Sequence, residues 1–132
     1  MTVRATGTFD VKWDEQPPYD ERDGAKLARA TITKDFSGDI EGSSVAELVK
    51  AVADVPGSAG YVAIERLIGS VHGRSGGFVL MHTGLMDRGE ASLTVTVVPD
   101  SGTGELTGIR GELVIDVVDG RHSYTFDYTL EG

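Results

Sequence analysis

A period of two constrains this chain more than any other feature. Leu93, Val95 and Val97 alternate with Ser92, Thr94 and Thr96; Tyr124, Phe126, Tyr128 and Leu130 alternate with Ser123, Thr125, Asp127 and Thr129. Successive side chains of a strand point to opposite faces, so this alternation demands strands with one buried and one wetter face. Looser versions run through Phe9-Val11-Trp13 and Ala28-Ala30-Ile32. Turn signals separate the runs at Ser37-Gly38, Pro56-Gly57, Gly73-Arg74, Asp87-Arg88-Gly89 and Asp119-Gly120. The pattern predicts eight strands, at 3–14, 26–36, 39–53, 59–72, 75–86, 89–98, 112–118 and 121–131. Ser44–Val52 carries helix-forming residues, but the hairpin signals on both sides favour a strand.

Eight sequential antiparallel strands favour a closed barrel, because closure removes the edges of an open sheet. The expectation is one all-β domain over residues 1–132: a closed eight-stranded antiparallel barrel, lipocalin-like in shape, with an internal cavity. Two longer loops, Asp14–Ala25 and Pro99–Gly111, lie where a lid would be found.

Composition narrows the function classes. The chain has no cysteine, which removes disulfides and thiolate metal sites. Its net charge of −9 opposes binding to phosphate backbones and anionic membranes. No apolar run is long enough to span a bilayer and the N-terminus lacks a signal-peptide pattern, so a cytoplasmic location is expected. The expected partner is a small hydrophobic molecule rather than nucleic acid or membrane, and a homo-oligomer is compatible with the sequence.

Hairpin registers then decide which side chains meet. A two-residue Gly73-Arg74 loop sets Glu65 opposite His82, Leu67 opposite Leu80 and Gly69 opposite Phe78, with paired β-carbons about 5 Å apart. Asp119-Gly120 pairs Ile115 with Tyr124 and Leu113 with Phe126. Ser37-Gly38 pairs Ala30 with Val45, Ile32 with Ser43 and Ala28 with Glu47. A five-residue loop centred on Pro56 sets Glu47 opposite Glu65, whereas a four-residue loop turns Glu47 to the other face. The first is preferred because it keeps Ala28, Ala30, Ile32, Val45, Val49 and Ala63 together.

Glu47, Glu65 and His82 are therefore the candidate catalytic residues, set in an apolar interior that the alanines leave partly unfilled. Trp13, Tyr61, Leu67, Phe78, Leu80, Leu93, Tyr124, Phe126 and Tyr128 are the candidate substrate-binding wall. Two carboxylates in one apolar interior predict a raised pKa for one of them. His72 and His122 flank turns and are expected outside the cluster, and Lys34, Arg66 and Arg110 on a solvated face. Gly102, Gly104, Gly108 and Gly111 lack the GKS or GKT and the helix of a phosphate loop. No serine stands in a nucleophile elbow.

Four stretches carry a family resemblance: TGTFDVKWDE…PYDE (Thr6–Glu21), KLARATITKDFSGDIEGSS (Lys26–Ser44), AIERLIGSVHGRSGGFVLMHTG (Ala63–Gly84) and SGTGELTGIRG (Ser101–Gly111). They resemble a bacterial family of unknown function assigned to the allene oxide cyclase-like barrel fold. The resemblance implies an eight-stranded barrel with a cavity. Relatives in the wider superfamily are cyclases that hold hydrophobic intermediates with one or two polar groups. By fold analogy, the chain is expected to be an isomerase or cyclase acting without cofactor on a small hydrophobic molecule. Glu65 would be the base, His82 its orienting partner and Glu47 the group that tunes it. The alternative is a barrel that binds a small apolar ligand without catalysis.

A site of two glutamates and one histidine, with no cysteine, is a poor transition-metal site. Elemental analysis of the purified protein is expected to find no stoichiometric transition metal, and chelation to leave its melting temperature unchanged.

Overall fold

A computed structural model describes residues 2–130. In chain order its strands are β1 (Val3–Glu15), β2 (Asp20–Arg22), β3 (Ala25–Gly38), β4 (Ile40–Ala53), β5 (Ala59–Val71), β6 (Arg74–Asp87), β7 (Glu90–Val97), β8 (Thr103–Gly104), β9 (Arg110–Val118) and β10 (Arg121–Thr129). Strand β1 pairs with β10 on one side and β3 on the other. That double pairing closes β1-β10-β9-β7-β6-β5-β4-β3 into an antiparallel barrel of eight long strands. Strands β2 and β8 are short ribs on β3 and β6. The eight long strands lie within about two residues of the positions expected from alternation. The expected end of the last one, Glu131, lies outside the described residues. Ser44–Val52 is strand.

Several two-residue turns place both central residues at positive φ, which matches the twist of the flanking strands. Asp119-Gly120, at 53° and 75°, is one, and it pairs Ile115 with Tyr124 and Leu113 with Phe126 as expected. The β5–β6 turn differs from expectation. It is His72-Gly73, at 48° and 79°, so Glu65 lies opposite Leu80, His82 opposite Ala63, and Phe78 opposite Leu67. The register moves by two residues, an even number, so every side chain keeps its face.

The β3–β4 turn shifts by an odd number and exchanges the faces of β4. Ala30 pairs with Leu48 and Ile32 with Ala46. Ser44, Ala46 and Leu48 are buried, while Val45, Glu47 and Val49 are exposed. A side chain from a distant strand fixes this turn. The Tyr124 hydroxyl on β10 donates to the Ser37 carbonyl at 2.9 Å and accepts from the Ile40 amide at 2.8 Å. The four-residue form of the Pro56 loop follows, with Ala46 opposite Glu65.

The barrel interior has a dry half and an open half. In the dry half Phe126 stacks between Phe78 and Tyr128, with ring centroids 5.6 and 5.2 Å away. The Pro99–Gly111 segment plugs this end by inserting Leu106 and Ile109, both fully buried. It is a plug rather than a lid. Its hydroxyls also serve β6: Ser101 Oγ accepts from the Val79 amide at 2.9 Å and Thr103 Oγ1 from the Gly77 amide at 3.0 Å. Gly102 in this plug answers to packing, since a Cβ there would lie 2.0 Å from the Leu106 carbonyl oxygen. The β7–β9 junction is the thinnest part of the wall, joined by the single register pair Thr96↔Glu112.

Replacing Tyr124 with Phe strands the buried Ile40 amide and the Ser37 carbonyl. The expected outcome is a loss of about 1–3 kcal/mol, read as a lower urea midpoint at unchanged slope.

Candidate functional site

Four adjacent strands deliver the polar cluster inside the barrel. Lys34 comes from β3, Ser44 from β4, Glu65 from β5 and His82 from β6. Lys34 and Ser44 are directly paired across β3 and β4. Glu65 lies two residues along from the Ser44 row, and His82 two residues along from the Glu65 row. Diagonal neighbours of this kind remain within reach of long side chains.

Glu65 is fully buried and its carboxylate accepts from three donors. Ser44 Oγ stands 2.5 Å from Oε2, His82 Nε2 2.6 Å from Oε1, and Lys34 Nζ 3.1 Å from Oε1. Burial pushes the Glu65 carboxyl up, but the His82 hydrogen bond, the Lys34 charge and the Ser44 hydroxyl outweigh it. The carboxyl is pulled down from an ordinary 4.5 to about 2. The raised value expected from two carboxylates is thereby overturned. Glu47, the second carboxylate, faces outward and accepts from Thr31 Oγ1 at 3.1 Å. Among the described residues no three His, Cys, Asp or Glu side chains stand together as a metal-binding group.

Lys34 is a member of this cluster that its sequence placed on a solvated face. It is 8 % exposed, and its ammonium lies 5.0 Å above the Phe9 ring as well as on Glu65. The signal was present: Lys34 has the same parity as Ala28, Ala30 and Ile32. Arg66 and Arg110 are exposed, as expected.

Above the cluster the barrel opens into a pocket of about 810 Å³. Lys34 and His82 line its floor region with Ala46 and Ala63, whose small side chains leave the space open. Glu65 is not part of the lining; it sits behind Lys34 and His82. Trp13, Tyr61 and Leu93 line the wall, together with Phe9, Leu48 and Ile115. Tyr61 gains its place from Gly84 opposite, where a Cβ would lie 2.3 Å from the ring. Burial, and then the Glu65 charge, push the Tyr61 hydroxyl up. At the mouth Lys50 and Glu15 form an ion pair.

The other expected wall residues lie elsewhere. Leu67, Phe78, Leu80, Tyr124, Phe126 and Tyr128 point inward but belong to the dry half. Parity decides inside from outside, whereas height along a barrel is set by strand tilt and stagger. His122 departs in the opposite sense: it lines the pocket, with its ring 5.1 Å from Phe9. His72 stays outside the cluster, with Nδ1 2.5 Å from the Tyr128 hydroxyl.

Because Glu65 is ionised, His82 Nε2 is the donor to it, and Nδ1 is the ring nitrogen not engaged by the carboxylate. Lys34 keeps N–H donors beyond the one given to Glu65. The open half therefore offers an ammonium and an imidazole at the base of a mainly apolar space, whose other polar lining is His122, Ser92 and the Lys50–Glu15 pair.

The depressed Glu65 pKa makes stability depend on pH. Its ionised form contributes on the order of 3 kcal/mol, the interval from 4.5 to about 2. That contribution is fully present above the unfolded pKa and is lost as pH falls through the folded one. Glu65→Gln leaves the Lys34 charge buried without a counter-ion and is expected to lose about 3–5 kcal/mol at neutral pH. Adding Lys34→Met is expected to recover much of that loss and to flatten the acid limb, as read by urea unfolding across a pH series.

The comparisons with known proteins agree with this architecture. The chain is similar to a protein of unknown function from Shewanella oneidensis MR-1, of the family DUF3224, whose crystal structure was solved at 1.84 Å resolution. The two are 41% identical, with a TM-score of 0.94, over 100% of each chain. No curated protein matches the chain. Residues 5–128 match the family described as "Protein of unknown function (DUF3224)". The chain belongs to this family.

Proposed function

We propose that the barrel takes up a small, mainly apolar molecule that carries one hydrogen-bond acceptor, with the Lys34 ammonium as its donor and His82 beside it. The observation that carries this reading is the pairing of an apolar pocket of about 810 Å³ with two polar side chains at its base. Ligand sites have this general form, an apolar wall with few convergent polar groups, and the volume falls in their usual range. Glu65 serves as the fixed counter-charge that makes a buried lysine tolerable, and it does not touch the ligand.

A second reading is catalytic, and the Glu65–His82 contact at 2.6 Å favours it. A carboxylate that holds one imidazole nitrogen leaves the other as a base, while an ammonium beside it polarises a carbonyl. That pairing suits proton abstraction next to a carbonyl, the first step of an isomerisation or cyclisation. The allene oxide cyclase-like assignment is consistent with such chemistry, by fold analogy alone. His82 is then the base and Lys34 the electrophile; Glu65 orients His82, the reverse of the roles expected from sequence.

Trp13 is the single tryptophan and lines the pocket, so its emission reports occupancy. Titration with a medium-chain aliphatic ketone is expected to shift that emission. The hydrocarbon of equal length should bind about tenfold more weakly, a difference erased in the Lys34→Met/Glu65→Gln variant. Ala63→Phe, which fills the floor, should abolish both responses. If neither probe moves the emission of the wild-type protein, the pocket is not a binding site for this class. For the catalytic reading, deuterium exchange at the α-carbons of the bound ketone should be enhanced by the protein and lost in His82→Gln.

A further inference from the structure

The outer wall of the barrel differs from strand to strand, and besides Val114 and Val118 on β9 its exposed apolar side chains gather on one side. Outward positions of β1 carry Arg4, Thr6, Asp10 and Lys12, and those of β7 carry Ser92, Thr94 and Thr96. Strands β4 to β6 break this rule. Val45 and Val49 on β4, Val62, Ile64 and Ile68 on β5, and Met81 on β6 are each 43% to 57% exposed. The row Glu47↔Ile64↔Met81 and the adjoining Val49↔Val62 make these residues one continuous patch. Scattered surface apolar residues are ordinary, but a contiguous patch marks an interaction face.

Two charges punctuate the patch. Glu47 lies opposite Ile64 and Arg66 opposite Val45, which sets the two on a diagonal of the same face. Neither forms an ion pair among the described residues. Thr31 Oγ1 steadies the Glu47 carboxylate from β3.

We propose that this face of β4–β6 is the interface of a homodimer. A two-fold axis lying in the interface, bisecting the line between Glu47 and Arg66, sets each Glu47 against Arg66 of the other copy. Isologous contact requires such self-complementarity, and one acid with one base on a diagonal supplies it. The charge distribution favours a second copy over an anionic surface. The patch is neutral while the chain carries −9, so joining two patches keeps the acidic remainders apart and in water. Threonines on both flanks, Thr31 and Thr33 on β3 and Thr94 and Thr96 on β7, complete an apolar centre with a polar rim. Two sheets stacking through such faces is an established mode of strand packing.

The test is sedimentation velocity of the full chain over a concentration series, with circular dichroism to verify folding. The wild type is expected to sediment as a dimer, and Ile64→Lys as a monomer. Glu47→Arg and Arg66→Glu should each raise the dimer dissociation constant about tenfold or more, and the double exchange should return it near the wild-type value. All three positions face outward, so the fold survives the changes. A wild type that stays monomeric throughout overturns the proposal. So does a dimer indifferent to Ile64→Lys, or a double exchange no tighter than its singles. Co-flotation of a monomeric wild type with neutral phosphatidylcholine vesicles would assign the face to lipid and equally overturn it.

Discussion

A carboxylate with no access to water sets the terms for the rest of this structure. Glu65 is buried among apolar side chains, and burying an ion without partners is prohibitively unfavourable. Its three donors come from three different strands, β3, β4 and β6, around its own β5. A slip of one residue in any of the intervening ladders would turn a donor to the outside and leave the carboxylate short. The cluster therefore couples the registers of four consecutive strands, which hydrophobic alternation alone fixes less strictly. Every buried side-chain nitrogen and oxygen among the described residues has a partner.

The same layer separates two interiors of different character. On one side aromatic rings and the Leu106–Ile109 plug fill the barrel; on the other, Ala46 and Ala63 stand where larger side chains would close it. Lys34 and His82 lie at the boundary, each touching Glu65 on its buried side while lining the pocket on the other. The carboxylate between the two interiors is thus held by side chains that line the pocket without lining it itself.

Much of this was legible in the sequence, and the remainder fails for identifiable reasons. Alternation placed the eight long strands, and Asp119-Gly120 fixed its hairpin to the residue, because both are local properties of the chain. The contact of Glu65 with His82 survived a misplaced turn because the error was even. Glu47 did not survive, because the β3–β4 turn is set by a hydroxyl from a tyrosine more than eighty residues away. Lys34 followed the inward parity of its strand, yet composition argued for water; only its contact with Glu65 reconciles the two. The six wall residues assigned to the wrong half share one cause: alternation carries no information about height along the barrel.

The junction of β7 and β9 gives this closed sheet an uneven hoop. Elsewhere neighbouring long strands share ladders of seven or more pairs, as Leu80↔Val97 through Asp87↔Glu90 do between β6 and β7. Between β7 and β9 the ladder is one pair, Thr96↔Glu112, and β6 turns to the hydroxyls of Ser101 and Thr103 where β7 has left it. Protein segments open with free energies that follow their local bonding. The circumference is continuous in topology but not in strength, so its fluctuations concentrate at this seam. The pocket wall beside it, formed by Leu93 of β7 and Ile115 and Val117 of β9, is the part of the interior free to change width without disturbing the buried charges.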